Sequence, residues 1–237
     1  MEPRLYLSQR YTENNFIRFC SQLLKDIKQK NKSIDVLAQF QNYIKECKFV
    51  ADYKDVNNKK IAIMSVRIKD DSNARTIQRN FVSHILSNGE LFGYDGALVA
   101  YYDESRVNWK LALVTIEYDL TNKGIKVLFQ PAKRFSFLVG EGEPSKTYND
   151  QLSPIYNDLI PPTYESLKEA FSISKVTKDF YSDYCDCFNE LVKYLIDCSS
   201  FQNEAKRLKY DNVKEFAITF TKKTLGQIVF LHFIQHF

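Results

Sequence analysis

The chain has 237 residues, 44% hydrophobic and 14% aromatic, a composition that excludes a disordered or fibrous chain and provides for a packed core in one or two domains. Its 33 basic and 29 acidic residues leave a net charge of +4, which permits a nucleic-acid partner without requiring one. The five cysteines (Cys20, Cys47, Cys185, Cys187 and Cys198) show neither a disulfide framework nor zinc spacing, and no secretory leader or membrane span is visible, so reduced thiols and a cytoplasmic location are expected.

In chain order, Phe16, Phe19, Cys20, Leu23, Leu24 and Ile27 recur at helical spacing and predict a helix over residues 12–30. Ser33 is placed to cap a second helix carrying Ile34, Leu37, Phe40 and Ile44. The period then changes. Residues 47–53 and 61–69 are β-rich runs around a polar turn, which predicts a hairpin. Ala74, Ile77, Phe81, Val82, Ile85 and Leu86 mark an amphipathic helix that Asn88-Gly89 ends. Residues 94–102 and 108–120 read as strands, and residues 125–130 pair back across a turn at Asn122-Lys-Gly. The fold class expected is α+β, a mixed sheet with helices followed by an all-helical region.

Residues 133–145 combine an apolar strand with a glycine- and proline-containing turn and read as the hinge between the two halves. The expected division is an α+β domain over 1–139, a linker over 140–162 and a helical connector over 163–237. Thr163 is the expected N-cap of a helix over 164–171, Ser174 opens a long helix, and a last helix begins near Asp211. The end of that last helix, from Ile228 to Ile234, is apolar nearly all round and needs cover from its own chain or from a partner.

The α+β half has the element order of a PD-(D/E)xK nuclease core. That chemistry needs an acid on one strand and an acid two residues before a lysine on the next, with the acids holding Mg²⁺. Asp52 is the candidate first acid, and Arg67-Ile68-Lys69 occupies the place of the second motif. Arg67 and Lys69 share a face by alternation, but a guanidinium cannot ligate Mg²⁺. Asp95 and Glu117 are possible substitute acids, although surface or turn roles suit them better. No catalytic set is complete; Asp52, Lys69 and Glu117 are candidates for one, and no metal site is expected. His232 and His236 lie four residues apart on the last helix but lack the glutamate of a zinc-protease motif. For nucleic-acid binding the candidates are Arg67 and Lys69, then Arg75 and Arg79 at helical i,i+4 spacing, and the pair Lys133 and Arg134. An ion pair of Arg75 with Asp71 is the ordinary alternative for that helix face.

Six pieces in order carry a family resemblance: Ala74-Arg-Thr-Ile-Gln-Arg-Asn-Phe-Val, Asp95-Gly-Ala-Leu-Val-Ala-Tyr-Tyr, Trp109-Lys-Leu-Ala-Leu-Val, Pro131-Ala-Lys-Arg-Phe-Ser-Phe-Leu-Val-Gly, Ala170-Phe-Ser-Ile-Ser-Lys-Val-Thr-Lys-Asp-Phe-Tyr and Leu225-Gly-Gln-Ile-Val-Phe-Leu-His-Phe-Ile-Gln. Together they resemble the N-terminal region of type IIG-like restriction–modification polypeptides, which fuse it to an adenine-specific DNA methyltransferase. The resemblance covers residues 45–237. It implies phage defence, with DNA and a methyltransferase domain or subunit as partners. The sequence ends where the family's S-adenosylmethionine-binding domain would begin and has no Asn-Pro-Pro-Tyr motif, so an N-terminal fragment or a stand-alone relative is expected. Three functions stay open at this point: a DNA-associated module that docks a methyltransferase, an active Mg²⁺-dependent endonuclease, and a protein-binding accessory module without DNA contact. No cofactor is expected in this chain. Mg²⁺ enters only with nuclease activity, and S-adenosylmethionine only with the domain the chain lacks.

Overall fold

The computed structural model describes residues 2–69, 74–116, 119–121, 124–126 and 134–235. The chain forms two compact units, Met1–Ile173 and Ser174–Phe237.

The first unit is built on a six-stranded mixed sheet. A short helix, α1 (Arg4–Leu7), precedes α2 (Glu13–Leu24), whose first turn is capped by the Thr12 hydroxyl accepting from the Asn15 amide at 3.2 Å. Three antiparallel strands follow: β1 (Lys28–Ile34), β2 (Ile44–Lys54) and β3 (Lys60–Ile68). Helix α3 (Ala74–Asn88) crosses over to β4 (Gly96–Tyr102), which runs parallel to β3. β5 (Asn108–Thr115) and β8 (Arg134–Gly140) complete the sheet in the order β1-β2-β3-β4-β5-β8, while β6 (Asp119–Thr121) and β7 (Gly124–Lys126) form a separate two-stranded ribbon. Every residue of β4 is buried, as a central strand covered on both faces requires.

Each face of the sheet carries its own core. On one, Ile61, Ile63, Leu98, Leu111 and Leu113 pack with Phe16, Phe19 and Leu23 of α2 and with Tyr148, Leu152 and Tyr156 of α4 (Lys146–Asn157). Tyr164 and Leu167 of α5 (Tyr164–Ala170) join the same core. On the other face, Met64, Val66, Val99 and Ala112 pack beneath Phe81, Val82, Ile85 and Leu86 of α3.

The α+β class with a helical C-terminal region is as expected, but three local expectations are corrected. The second helix is absent: β1 and a 3-10 turn at Ala38–Phe40 occupy that stretch. Ile34, Phe40 and Ile44 do face one core, which is why their spacing imitates a helix. The hinge expected at 133–145 is instead the edge of the sheet, since β8 pairs with β5 from Val114↔Arg134 to Asn108↔Gly140. Gly140 ends that strand at φ +133, where a Cβ would lie 2.2 Å from the Val107 carbonyl oxygen, so no other residue fits. The turn beyond is fastened, with Arg10 Nε donating to Glu141 at 2.7 Å and Asn108 Nδ2 to Glu143 at 2.8 Å. The expected linker, residues 140–162, contains α4 and belongs to the first unit.

The second unit holds α6 (Ile173–Asp197), α7 (Ser199–Arg207) and α8 (Val213–Gln235). The Asn212 side chain accepts from the amides of Lys214 and Glu215, which caps α8 close to its expected start.

Burial also separates the thiols. Cys20 and Cys47 are buried in the first unit, and burial holds both above the ordinary thiol range. Cys187 is exposed, and Cys185 and Cys198 are half-buried. A native-state thiol titration is expected to label Cys187 first and to leave Cys20 and Cys47 unlabelled until the first unit unfolds.

Candidate functional site

The register of the β2–β3 hairpin sets where the candidate acid and the basic triplet stand. Asp52 stands opposite Ala62, so both project to the α3 face. Arg67 follows Ile61, Ile63 and Ser65 along the alternate positions of β3, which puts it on the α2 face. Lys69 lies seven residues beyond Ala62, roughly 23 Å along the strand direction. Asp52 and Arg67 are thus on opposite faces, and Asp52 and the Arg67-Ile68-Lys69 triplet are at opposite ends of the hairpin. Beside Asp52 on the neighbouring strand its face carries Lys60, Ala62 and Met64, of which the last two are fully buried and none offers a side-chain oxygen ligand for a hard cation.

Asp52 has a different employment. The Tyr94 hydroxyl donates to its carboxylate at 3.1 Å, and Lys30 Nζ is 3.6 Å away. Burial first, and the Asp52 charge second, push Tyr94 up to about 12, so the phenol keeps its proton. Asp95 accepts from Lys59 Nζ and from the Lys60 amide, both at 2.8 Å, and fastens the start of β3 to the start of β4. Glu117 lies outside the described residues. Among the described residues no three His, Cys, Asp or Glu side chains form a group able to hold a metal ion.

At the carboxyl ends of β3 and β4 a polar cluster gathers on the α2 face. Arg67 lies between Glu46 on β2 and Tyr102 on β4, and its guanidinium pairs with Glu104 in the β4–β5 turn. Its Nε is buried with no acceptor. Lys45 reaches the same Glu104 carboxylate at 3.2 Å, and Lys45 and Arg67 together hold that carboxyl below its usual range. Lys48 pairs with Glu13 of α2 at 3.2 Å and with Glu46 at 3.5 Å. Tyr11 stacks on Tyr102 at 4.0 Å, and the Arg106 guanidinium sits 5.6 Å from the same ring. Cation and anion alternate throughout, so the cluster is an ion-pair network rather than a basic patch.

A cleft of about 260 Å³ opens beside it, where β4 turns into β5, lined by Tyr102, Asp103, Ser105, Asn108, Lys110 and Leu138 among others. Burial pushes the Asp103 carboxyl up, but the Ser105 hydroxyl and the Arg106 amide outweigh it and hold Asp103 low. Nothing in the sequence pattern marked this cleft. Its residues are spread over a strand end, a turn and two further strands, and only the pairing of β4 with β5 and of β5 with β8 assembles them.

The expected nucleic-acid contacts are partly brought together. Arg67 and Lys69 lie at the end of the sheet where α3 begins, and α3 carries Arg75 and Arg79. Arg79 is half-buried, and Lys69 is exposed. The side chain of Arg75 and all of Lys133 lie outside what is described. Arg134 opens β8 opposite Val114, which in turn pairs with Ala97. Ala97 sits five residues from Tyr102, the β4 neighbour of Arg67, so Arg134 is roughly 17 Å along the strands from Arg67 and does not join that group. No family model matches the chain, and no curated protein or solved structure matches it.

Proposed function

We propose that this chain is a non-hydrolytic, DNA-associated module of a restriction–modification system. Its α+β unit has a nuclease-like layout, and its expected partner is a methyltransferase domain or subunit. The observation that carries this reading is the hairpin register: a helix, three antiparallel strands, a crossover helix and a strand parallel to the third are in order, yet the acid and the lysine a hydrolase would need stand at opposite ends of the hairpin. The basic residues at the start of α3, with Lys69 nearby, support contact with a phosphate backbone, which needs cations but no metal. A cytoplasmic setting fits buried unpaired thiols, and among the described residues no helix is long and apolar enough to cross a membrane.

Fluorescence anisotropy with a duplex oligonucleotide over a salt series tests the proposal. Binding is expected to weaken steeply with salt, and Arg75→Ala with Arg79→Ala is expected to flatten the log–log slope by about 2. Arg67 favours a second reading, a protein-binding module without DNA contact, because Glu104 already holds its guanidinium. An absence of binding even at low salt would select that second reading.

A further inference from the structure

The Glu104 carboxylate divides itself between two cations. Oε1 pairs with Arg67 Nη2, and Oε2 accepts from Lys45 Nζ at 3.2 Å. Nη2 and Nε form one edge of a guanidinium, the edge that holds an anion through two parallel hydrogen bonds. Here that edge is half used, because Nε is buried with no acceptor. Glu104 spends one oxygen on each cation and leaves Nε unmet. A backbone phosphate is tetrahedral and carries two charged and two ester oxygens, so it can meet Nε and Nη2 side by side and still face Lys45.

The other acids of the cluster are already answered. Lys48 pairs with Glu13 and with Glu46, and Asp103 accepts from the Ser105 hydroxyl and the Arg106 amide. Glu104 is therefore the acid that neutralises Lys45 and Arg67. It is also loosely held. Its side chain is 74% exposed, and among the described residues it has no partner besides these two. An ion pair with one member so open to water is weak and readily exchanged for another. The turn that carries Glu104 keeps its shape without that side chain. Asp103 closes it at 2.7 and 2.9 Å, the Val107 amide donates to the Ser105 hydroxyl at 3.3 Å, and the Tyr11 amide donates to the Arg106 carbonyl at 2.8 Å. Arg67, by contrast, is fixed: it ends β3, and its side chain is only 18% exposed.

We propose that Lys45 and Arg67 form a phosphate-binding site, and that Glu104 is the chain's own anion, occupying the site until a phosphate of the DNA backbone displaces it. This deepens the DNA-associated reading, on which it rests. The Arg67–Glu104 contact becomes the closed form of a DNA contact, at the same end of the sheet as Lys69 and the start of α3. The balanced network of the free chain becomes cationic only when the acidic side chain swings out, so a phosphate is admitted by exchange.

Fluorescence anisotropy of the full chain with a duplex oligonucleotide tests it. Glu104→Gln keeps the shape of the side chain and removes its charge, and is expected to tighten binding about fivefold at low salt. Lys45→Met with Arg67→Met is expected to weaken the parent chain, to flatten its log–log salt slope by about 2, and to cancel the gain from Glu104→Gln. Methionine keeps the apolar stem of each side chain. Lys45→Met alone, at a side chain 51% exposed, is expected to flatten the slope by about 1 and keeps the test sound should Arg67→Met unfold. A gain that survives Lys45→Met with Arg67→Met is the effect of one charge on the whole field and overturns the proposal. So does a parent chain that binds DNA and is not tightened by Glu104→Gln, a result that leaves the DNA-associated reading standing on Arg75 and Arg79. An absence of binding by both the parent chain and Glu104→Gln at low salt overturns that reading and the proposal with it.

Discussion

Asp55→Ala is expected to cost about 3–5 kcal/mol of stability, although the side chain sits in a polar turn where substitutions are ordinarily mild. Asp55 is 6% exposed and serves three backbone donors. Oδ1 accepts from the amides of Asn57 and Lys59, and Oδ2 from the amide of Tyr164, all at 2.8 Å. One carboxylate therefore shapes the β2–β3 turn and also anchors the first residue of α5. Hydrogen bonds to a charged acceptor are each worth about 1.5–3 kcal/mol, and removal strands the donors, though the losses overlap. Asp55→Asn keeps one acceptor oxygen and is expected to fall midway. Thermal unfolding is the measurement, with a lowering on the order of 10 °C expected for alanine. A change under about 2 °C would show that water replaces the carboxylate without loss.

Tyr148→Ala is expected to cost a similar about 3–5 kcal/mol, in a stretch that reads as a linker. Tyr148 is 1% exposed, its ring lies edge-on to Phe137 at 6.4 Å, and its hydroxyl is 2.8 Å from the Ser8 hydroxyl. The truncation leaves a cavity between α4 and the sheet and also removes a partner of Ser8. A linker residue would change stability by less than about 0.5 kcal/mol, so chemical denaturation separates the two roles cleanly.

These two positions also show what was legible in the sequence. The hairpin, the cap at Thr163 and the start of the last helix near Asp211 follow from local spacing and are found close to where that spacing puts them, while the α2 stripe is found but its helix ends at Leu24, short of residue 30. β1 is not legible because its side chains up to Ser33 are polar and exposed; pairing with β2 alone makes it a strand. α4 is hidden by Pro154 inside the helix and by the polar residues between its core contacts, although Tyr148, Leu152, Ile155 and Tyr156 recur at helical spacing. The placement of the candidate acid and lysine is hidden for a sharper reason. Asp52 and Lys69 are separated by a turn whose register pairs Asp52 with Ala62, and the seven-residue step from Ala62 to Lys69 carries the lysine to the other end of the hairpin. That register is invisible to composition.

Supercoiled plasmid incubated with the full chain at low salt, with Mg²⁺ or Mn²⁺, tests the central claim most directly. The predicted result is DNA retarded on a gel but neither nicked nor linearised, with Asp52→Ala indistinguishable from the parent chain. Metal-dependent nicking that disappears in Asp52→Ala or Lys69→Ala would contradict it, because that outcome requires the two residues to act at one phosphate.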